Sequence, residues 1–153
     1  MKTTTQLLAL VLIITSTACS KSDDSASPAN LSATLKQEIT TDSWIVSAYI
    51  DKGKNETSGY TGYTFTFFDT GTLTADVSGM TFTGTWRIGS NHNGSDDSVN
   101  HSGNDNKLII AISGNDRMDE LTDDFLIVSI SASEIVLKDD NLTKIKELRF
   151  AKK

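Results

Sequence analysis

The chain is short of the residues that most enzyme and metal templates need. It has one cysteine, Cys19, one proline, Pro28, and two histidines, His92 and His101, in 153 residues. A single cysteine excludes an internal disulfide, so an exported domain must be held together by its core alone. It also excludes a C-x-x-C pair. No G-x-S-x-G elbow, H-E-x-x-H helix or Walker loop is present. Both histidines lie in one polar segment, where nothing positions or buries them as general acid–base work requires. The expectation is a non-enzymatic protein with no cofactor. Basic residues are outnumbered, 14 against 20 acidic, for a net charge of −6. With no basic block or basic amphipathic stretch, that balance argues against nucleic acid as a partner. It argues equally against docking of the folded domain on anionic lipid. Long apolar runs are also missing, apart from Leu7 to Ile14, and eight residues are too few for a bilayer core that needs ~20.

What is present begins with that run. Lys2 supplies a positive start, Leu7 to Ile14 an apolar centre, and Thr15 to Ala18 a small-residue exit, the layout of a secretory signal over residues 1–18. The small residues running up to Ala18-Cys19 resemble the lipobox of bacterial lipoproteins, although Ser16 stands where that motif usually has leucine. The resemblance implies that Cys19 is acylated with palmitate-type chains and becomes the first mature residue. Each buried methylene then contributes ~0.8 kcal/mol to anchoring. Ser20-Lys21-Ser22-Asp23-Asp24 resembles the tether of surface-exported lipoproteins of the Bacteroidota. That implies an outer-membrane, surface-exposed, lipid-anchored location. Residues 19–30 then form the lipidated cysteine and a flexible acidic tether, too polar to bury apolar area. Residues 31–153 form one domain, with a net charge of −7 on the mature chain (13 basic against 20 acidic). Asp24-Ser25-Ala26 and Asp97-Ser98-Val99 resemble Bacteroidota O-glycosylation sites at Ser25 and Ser98.

Leu31, Leu35 and Ile39 recur at four-residue spacing, which predicts a short amphipathic helix with Asn30 or Ser32 as its N-cap. From Trp44 the period changes to two, and eight strands are expected. They run over residues 44–51, 62–69, 72–77, 80–88, 107–113, 125–131, 134–138 and 144–151. Trp44, Val46, Ala48 and Ile50 share one face, as do Tyr63, Phe65 and Phe67. Met80, Phe82, Gly84, Trp86 and Ile88 share another, as do Leu126, Val128 and Ile130, and Leu148 with Phe150. Asp116 to Asp124 is expected to make a helical turn before the sixth strand. Short connections favour antiparallel hairpins, and closure would remove two unprotected edges. A small all-β up-and-down barrel with a short N-terminal helix is the first expectation, and a two-sheet β-sandwich the alternative.

The order Trp44, Gly62 to Phe67, the Asp69 to Thr72 turn, Gly84-Thr85-Trp86, Ile135 to Leu137 and Leu148-Arg149-Phe150 resembles the lipocalin-like domains of Bacteroidota lipoproteins. Asp42 stands where true lipocalins have glycine. The resemblance implies a lipocalin-like barrel, with Arg149 free to pack over Trp44 as a cation–π pair. An eight-stranded barrel is either filled by side chains or holds one small ligand. Trp44, Tyr60, Tyr63, Phe65, Phe82 and Trp86 are the candidate ligand-binding residues, with Ala48 and Gly84 as places for a small void. The expected pocket is shallow and apolar, bounded by Tyr60, Tyr63 and the long polar segment from Gly89 to Asn106. In that segment Asp96, Asp97, Asn100, Asn104 and Asp105 offer oxygens for Ca²⁺ and the histidines nitrogens for a transition metal. Its spacing is not that of an EF-hand, and no metal site is assigned. Two functions remain open: binding a small apolar ligand, or contacting another envelope or host protein through loops.

Overall fold

Apolar residues at helical spacing followed by alternating β-branched and aromatic residues order the chain as helix first, sheet second. The structure, a computed structural model, describes residues 28–89, 106–139 and 143–153. Helix α1 spans Pro28–Ile39. It begins ahead of both expected cap residues, because proline is pre-set for a first helical turn and its missing N–H is not needed there. Leu35 and Ile39 are fully buried. The helix ends where the Thr40 and Thr41 hydroxyls donate back to the Lys36 and Gln37 carbonyls at 2.8 and 2.6 Å, filling acceptors that a helix end leaves open.

Nine strands follow among the described residues: β1 (Ser43–Asp51), β2 (Lys54–Asn55), β3 (Thr64–Phe67), β4 (Thr72–Val77), β5 (Met80–Gly89), β6 (Lys107–Ile112), β7 (Asp123–Ile130), β8 (Glu134–Asp139) and β9 (Lys146–Lys152). All pairings are antiparallel between neighbours in space. β1 also pairs with β9, so β1 and β3 to β9 close an eight-stranded barrel. β2 is an extra short strand hooked onto the far end of β1. The barrel is therefore the observed fold rather than the sandwich. The ends of the eight barrel strands fall within two residues of the sequence expectation.

Two strands present a different face from the one alternation suggests. In β1 the register with β9 shifts between Val46 and Ala48, so one extra residue bulges from the wall. Trp44 and Val46 point inward, and after the bulge Tyr49 takes the inward place, leaving Ala48 and Ile50 half-buried. In β7 the buried residues are Phe125 and Ile127, not Leu126 and Val128. Val128 is 49% exposed beside a second register shift. Both faces of that strand carry apolar side chains, so a period of two could not choose between them. β3 and β9 behave as expected, with Phe65, Phe67, Leu148 and Phe150 buried.

The interior is filled ring against ring. Phe150 meets Phe65 and Phe67 edge-on at 5.5 Å, and Phe67 meets Trp86 at 5.7 Å, separations suited to T-shaped pairs. Gly84 leaves no void. A Cβ there would lie 2.7 Å from the Cα of Ile112 and against the Ala111 carbonyl oxygen, so β6 uses the space.

Candidate functional site

The up-and-down order gives the barrel two unlike ends. At the first, α1 covers the mouth, and the indole N–H of Trp44 donates to the Ile39 carbonyl at 2.9 Å. That bond fixes the helix to β1. The β3–β4 turn closes the same end, held to β5 by Trp86. Its indole N–H donates to the Phe68 carbonyl and its backbone N–H to the Gly71 carbonyl, both at 2.8 Å. Trp44 and Trp86 thus spend their only side-chain donors on backbone carbonyls. Arg149 does not stack on Trp44. It lies on the outer face, paired with Glu147 at 2.6 Å, because its alternate place on β9 faces away from Leu148 and Phe150.

At the second end a 3-10 turn (Thr57–Tyr60) and helix α2 (Asp116–Leu121) fold over the opening. The expected helical turn before the sixth barrel strand is thus present. Met118 and Leu121 are fully buried under α2, and polar latches surround them. Asn115 caps α2 through its side-chain oxygen, which accepts from the Met118 N–H at 3.0 Å, while its amide donates to the Tyr63 hydroxyl at 3.1 Å. The Tyr49 hydroxyl donates to the Glu120 carbonyl at 3.0 Å and that of Tyr60 to the Arg117 carbonyl at 3.1 Å. Lys146 lies 5.2 Å from the Phe125 ring centroid and pairs with Asp123 at 2.6 Å, a cation held by both a ring face and a carboxylate. Burial raises the Tyr49 phenol well above the usual range, with Asp51 and Glu120 adding to the effect. Burial does the same for Tyr60, helped by Tyr49 and Glu120. Both phenols are therefore neutral donors at physiological pH.

Four of the six candidate ligand residues form a continuous aromatic run: Tyr63 lies 6.4 Å from Tyr60 and 6.2 Å from both Phe65 and Phe82. Trp44 and Trp86 are at the other end. The expected pocket had Tyr60, Tyr63 and the long polar segment as common walls. Residues 90–105 of that segment lie outside the described residues; Gly89 and Asn106, which bound them, lie at the α1 end, and both tyrosines lie at or near the α2 end.

A different opening is bordered by the buried Tyr60 and the half-buried Tyr63. β1 and β3 share only two ladder positions, Ser43 with Thr66 and Trp44 with Phe65. Beyond them β1 turns toward β2, and the wall parts. The cleft left there has a volume of ≈ 450 Å³ and is lined by Ile45, Val46, Tyr60, Thr61, Tyr63 and Lys153 among others. Its size falls within the range of small-molecule sites, roughly 300–1,000 Å³. Ile45, Val46, Thr61 and Lys153 were missed by sequence reasoning, because a parted seam depends on where two distant strands stop pairing. Among the described residues no group of three or more His, Cys, Asp or Glu side chains is placed to hold a metal ion. Cys19, Ser25, His92, Asp96, Asp97, Ser98, Asn100, His101, Asn104 and Asp105 lie outside the described residues.

With the barrel and its seam defined, comparison with known proteins bears on the fold. A crystal structure of a DUF4847 family protein from Bacteroides vulgatus is similar to this chain, with a TM-score of 0.51 over 76% of this chain and 96% of that one. The likeness is one of fold. Sequence identity over the match is 15%, too low to carry site residues across. No protein-family model and no curated protein matches the chain. No helix among the described residues is long and apolar enough to cross a membrane.

Proposed function

We propose that this is a non-enzymatic, lipid-anchored barrel protein of the outer membrane that binds a small apolar ligand in the cleft between β1 and β3. The observation that carries the reading is the parted seam: the interior is packed with rings, while the cleft is concave, open and walled by Ile45, Val46, Tyr60 and Tyr63. Burying apolar ligand surface contributes roughly 25 cal/mol per Å², and the Thr61 and Lys153 rim supplies polar groups to orient it. The anchor rests on the resemblance around Cys19, and the lipocalin-like character on the strand order together with the closed barrel.

A neutral apolar dye, N-phenyl-1-naphthylamine, tests the cleft. The expected result is saturable fluorescence enhancement at one dye per chain that Thr61→Trp, which fills the cleft from its exposed rim, abolishes. Enhancement that is absent, or unaffected by that substitution, removes the cleft as the seat. The filled interior favours a second reading, a module that contacts another envelope or host protein through its outer surface. The first test separates the two, since a purely protein-binding module gives no saturable dye site.

A further inference from the structure

The cations of this acidic chain are distributed unevenly between partners. Lys52, Lys54, Arg117, Lys144, Lys146, Arg149 and Lys152 each have a carboxylate within 4.0 Å. Lys36, Arg87, Lys138 and Lys153 have no such ion pair among the described residues, and of these Lys36 and Arg87 line one depression at the α1 end. That depression has a volume of ≈ 420 Å³, with Asp69, Thr70, Trp86 and Ile88 among its other walls. It adjoins a second hollow of ≈ 600 Å³ against α1 that shares Lys36 and Ile88. Its rim is firm, because the 68–71 turn is bonded to Trp86 at both the indole and the backbone. On that turn Phe68 is 44% exposed. The opposite end presents the acidic face of α2, with Asp119 and Glu120 exposed.

We infer that the α1 end is a membrane-contact surface that engages the anionic headgroups of the leaflet holding the anchor. Lys36 and Arg87 meet lipid phosphate, and Phe68 enters the interface. This rests on acylation of Cys19. Residues 20–27 are all that separate the anchor from α1, and eight extended residues span at most roughly 30 Å. The α1 end is therefore the end nearer the anchor along the chain. An exposed aromatic beside long cationic side chains suits the interface, where rings sit at headgroup depth and charged tips remain in water. Gly89 and Asn106 also lie at this end, and the sequence between them carries Asp96, Asp97 and Asp105. Net field therefore does not draw the domain down, and the contact is local to the groove.

The test uses the mature acylated chain in vesicles of phosphatidylethanolamine with one quarter phosphatidylglycerol, carrying a nitroxide-labelled lipid. An environment-sensitive fluorophore is placed on Thr70→Cys at the groove or on Met80→Cys at the far end. Co-flotation with vesicles reports the anchor, and quenching reports docking. The expected result is quenching at position 70 and not at 80, lost in vesicles of phosphatidylcholine alone. Lys36→Gln with Arg87→Gln should weaken docking about thirty-fold, at roughly fivefold per charge, without loss of flotation. Phe68→Ser should reduce quenching further. A chain that does not float refutes the anchor itself. A chain that floats with equal signals at both positions, or with quenching indifferent to the two cations, overturns the contact surface while leaving the anchor standing.

Discussion

The phenols of Tyr49 and Tyr60 show most directly how single residues couple to stability. Burial favours their neutral form, so the folded state holds these protons to higher pH than the unfolded chain does. Their contribution is complete below the unfolded value of about 10 and declines as pH rises above it, where the unfolded state binds fewer protons. Alkaline titration should therefore show two tyrosines that ionise only as the barrel unfolds, with the rise in absorbance near 295 nm coinciding with loss of near-ultraviolet circular dichroism. Separate ionisation of both in the folded protein would contradict their burial. Tyr60→Phe removes a hydrogen bond to the Arg117 carbonyl and should cost about 1 kcal/mol in urea unfolding. Gly84→Ala is expected to be far worse, because its Cβ would enter the backbone of β6. Loss of cooperative unfolding, or a failure to accumulate folded protein, is the result that checks it.

At the scale of elements, each barrel mouth is closed by a short helix whose apolar residues point inward. Leu35 and Ile39 of α1 are fully buried at one end, and Met118 and Leu121 of α2 at the other. Leu35→Ala should lower stability by about 2–5 kcal/mol, the usual range for a buried leucine. Trp44→Phe, which keeps most of the ring and loses the bond to Ile39, should cost less, about 1 kcal/mol. Asn115→Ala removes both the cap of α2 and the bond to Tyr63, with an expected loss of about 1–2 kcal/mol. Urea midpoints at constant slope would establish the order Leu35 above Asn115 and Trp44. The helix at Leu31 to Ile39 was legible in the sequence because its four-residue spacing is strong. α2 was legible only as a turn, since six residues carry too few apolar positions to define a face.

For the whole molecule, closure removes free edges but leaves one weak line. β1 and β3 meet at two ladder positions, whereas β1 and β9 pair along nearly their full length. Amide hydrogen exchange should find the faster-exchanging barrel amides along the β1–β3 seam, because local opening there breaks few cross-strand bonds. The slowest should be in β8 and β9, whose Ile135, Leu137, Leu148 and Phe150 are fully buried. Uniform protection around the barrel would show that the seam is not a point of opening. A ligand in the cleft should slow exchange at the seam specifically, which links the proposed site to a measurable change in the fold.

The sequence by itself determined the order of elements, the barrel strands to within two residues, and a core rich in Phe and Trp. Alternation, helical spacing and turn residues are local properties, and each is written in a stretch of a few residues. It also carries the motif at Cys19, which lies outside the described residues and owes nothing to tertiary packing. Only the tertiary structure decided which face of β1 and β7 is inside, because a one-residue bulge shifts the later side chains of β1 and both faces of β7 carry apolar residues. It alone set Gly89 and Asn106 at one end of the barrel and Tyr60 and Tyr63 toward the other, as up-and-down topology requires. It also placed the cleft, which exists because strands twenty residues apart in sequence pair briefly and then diverge.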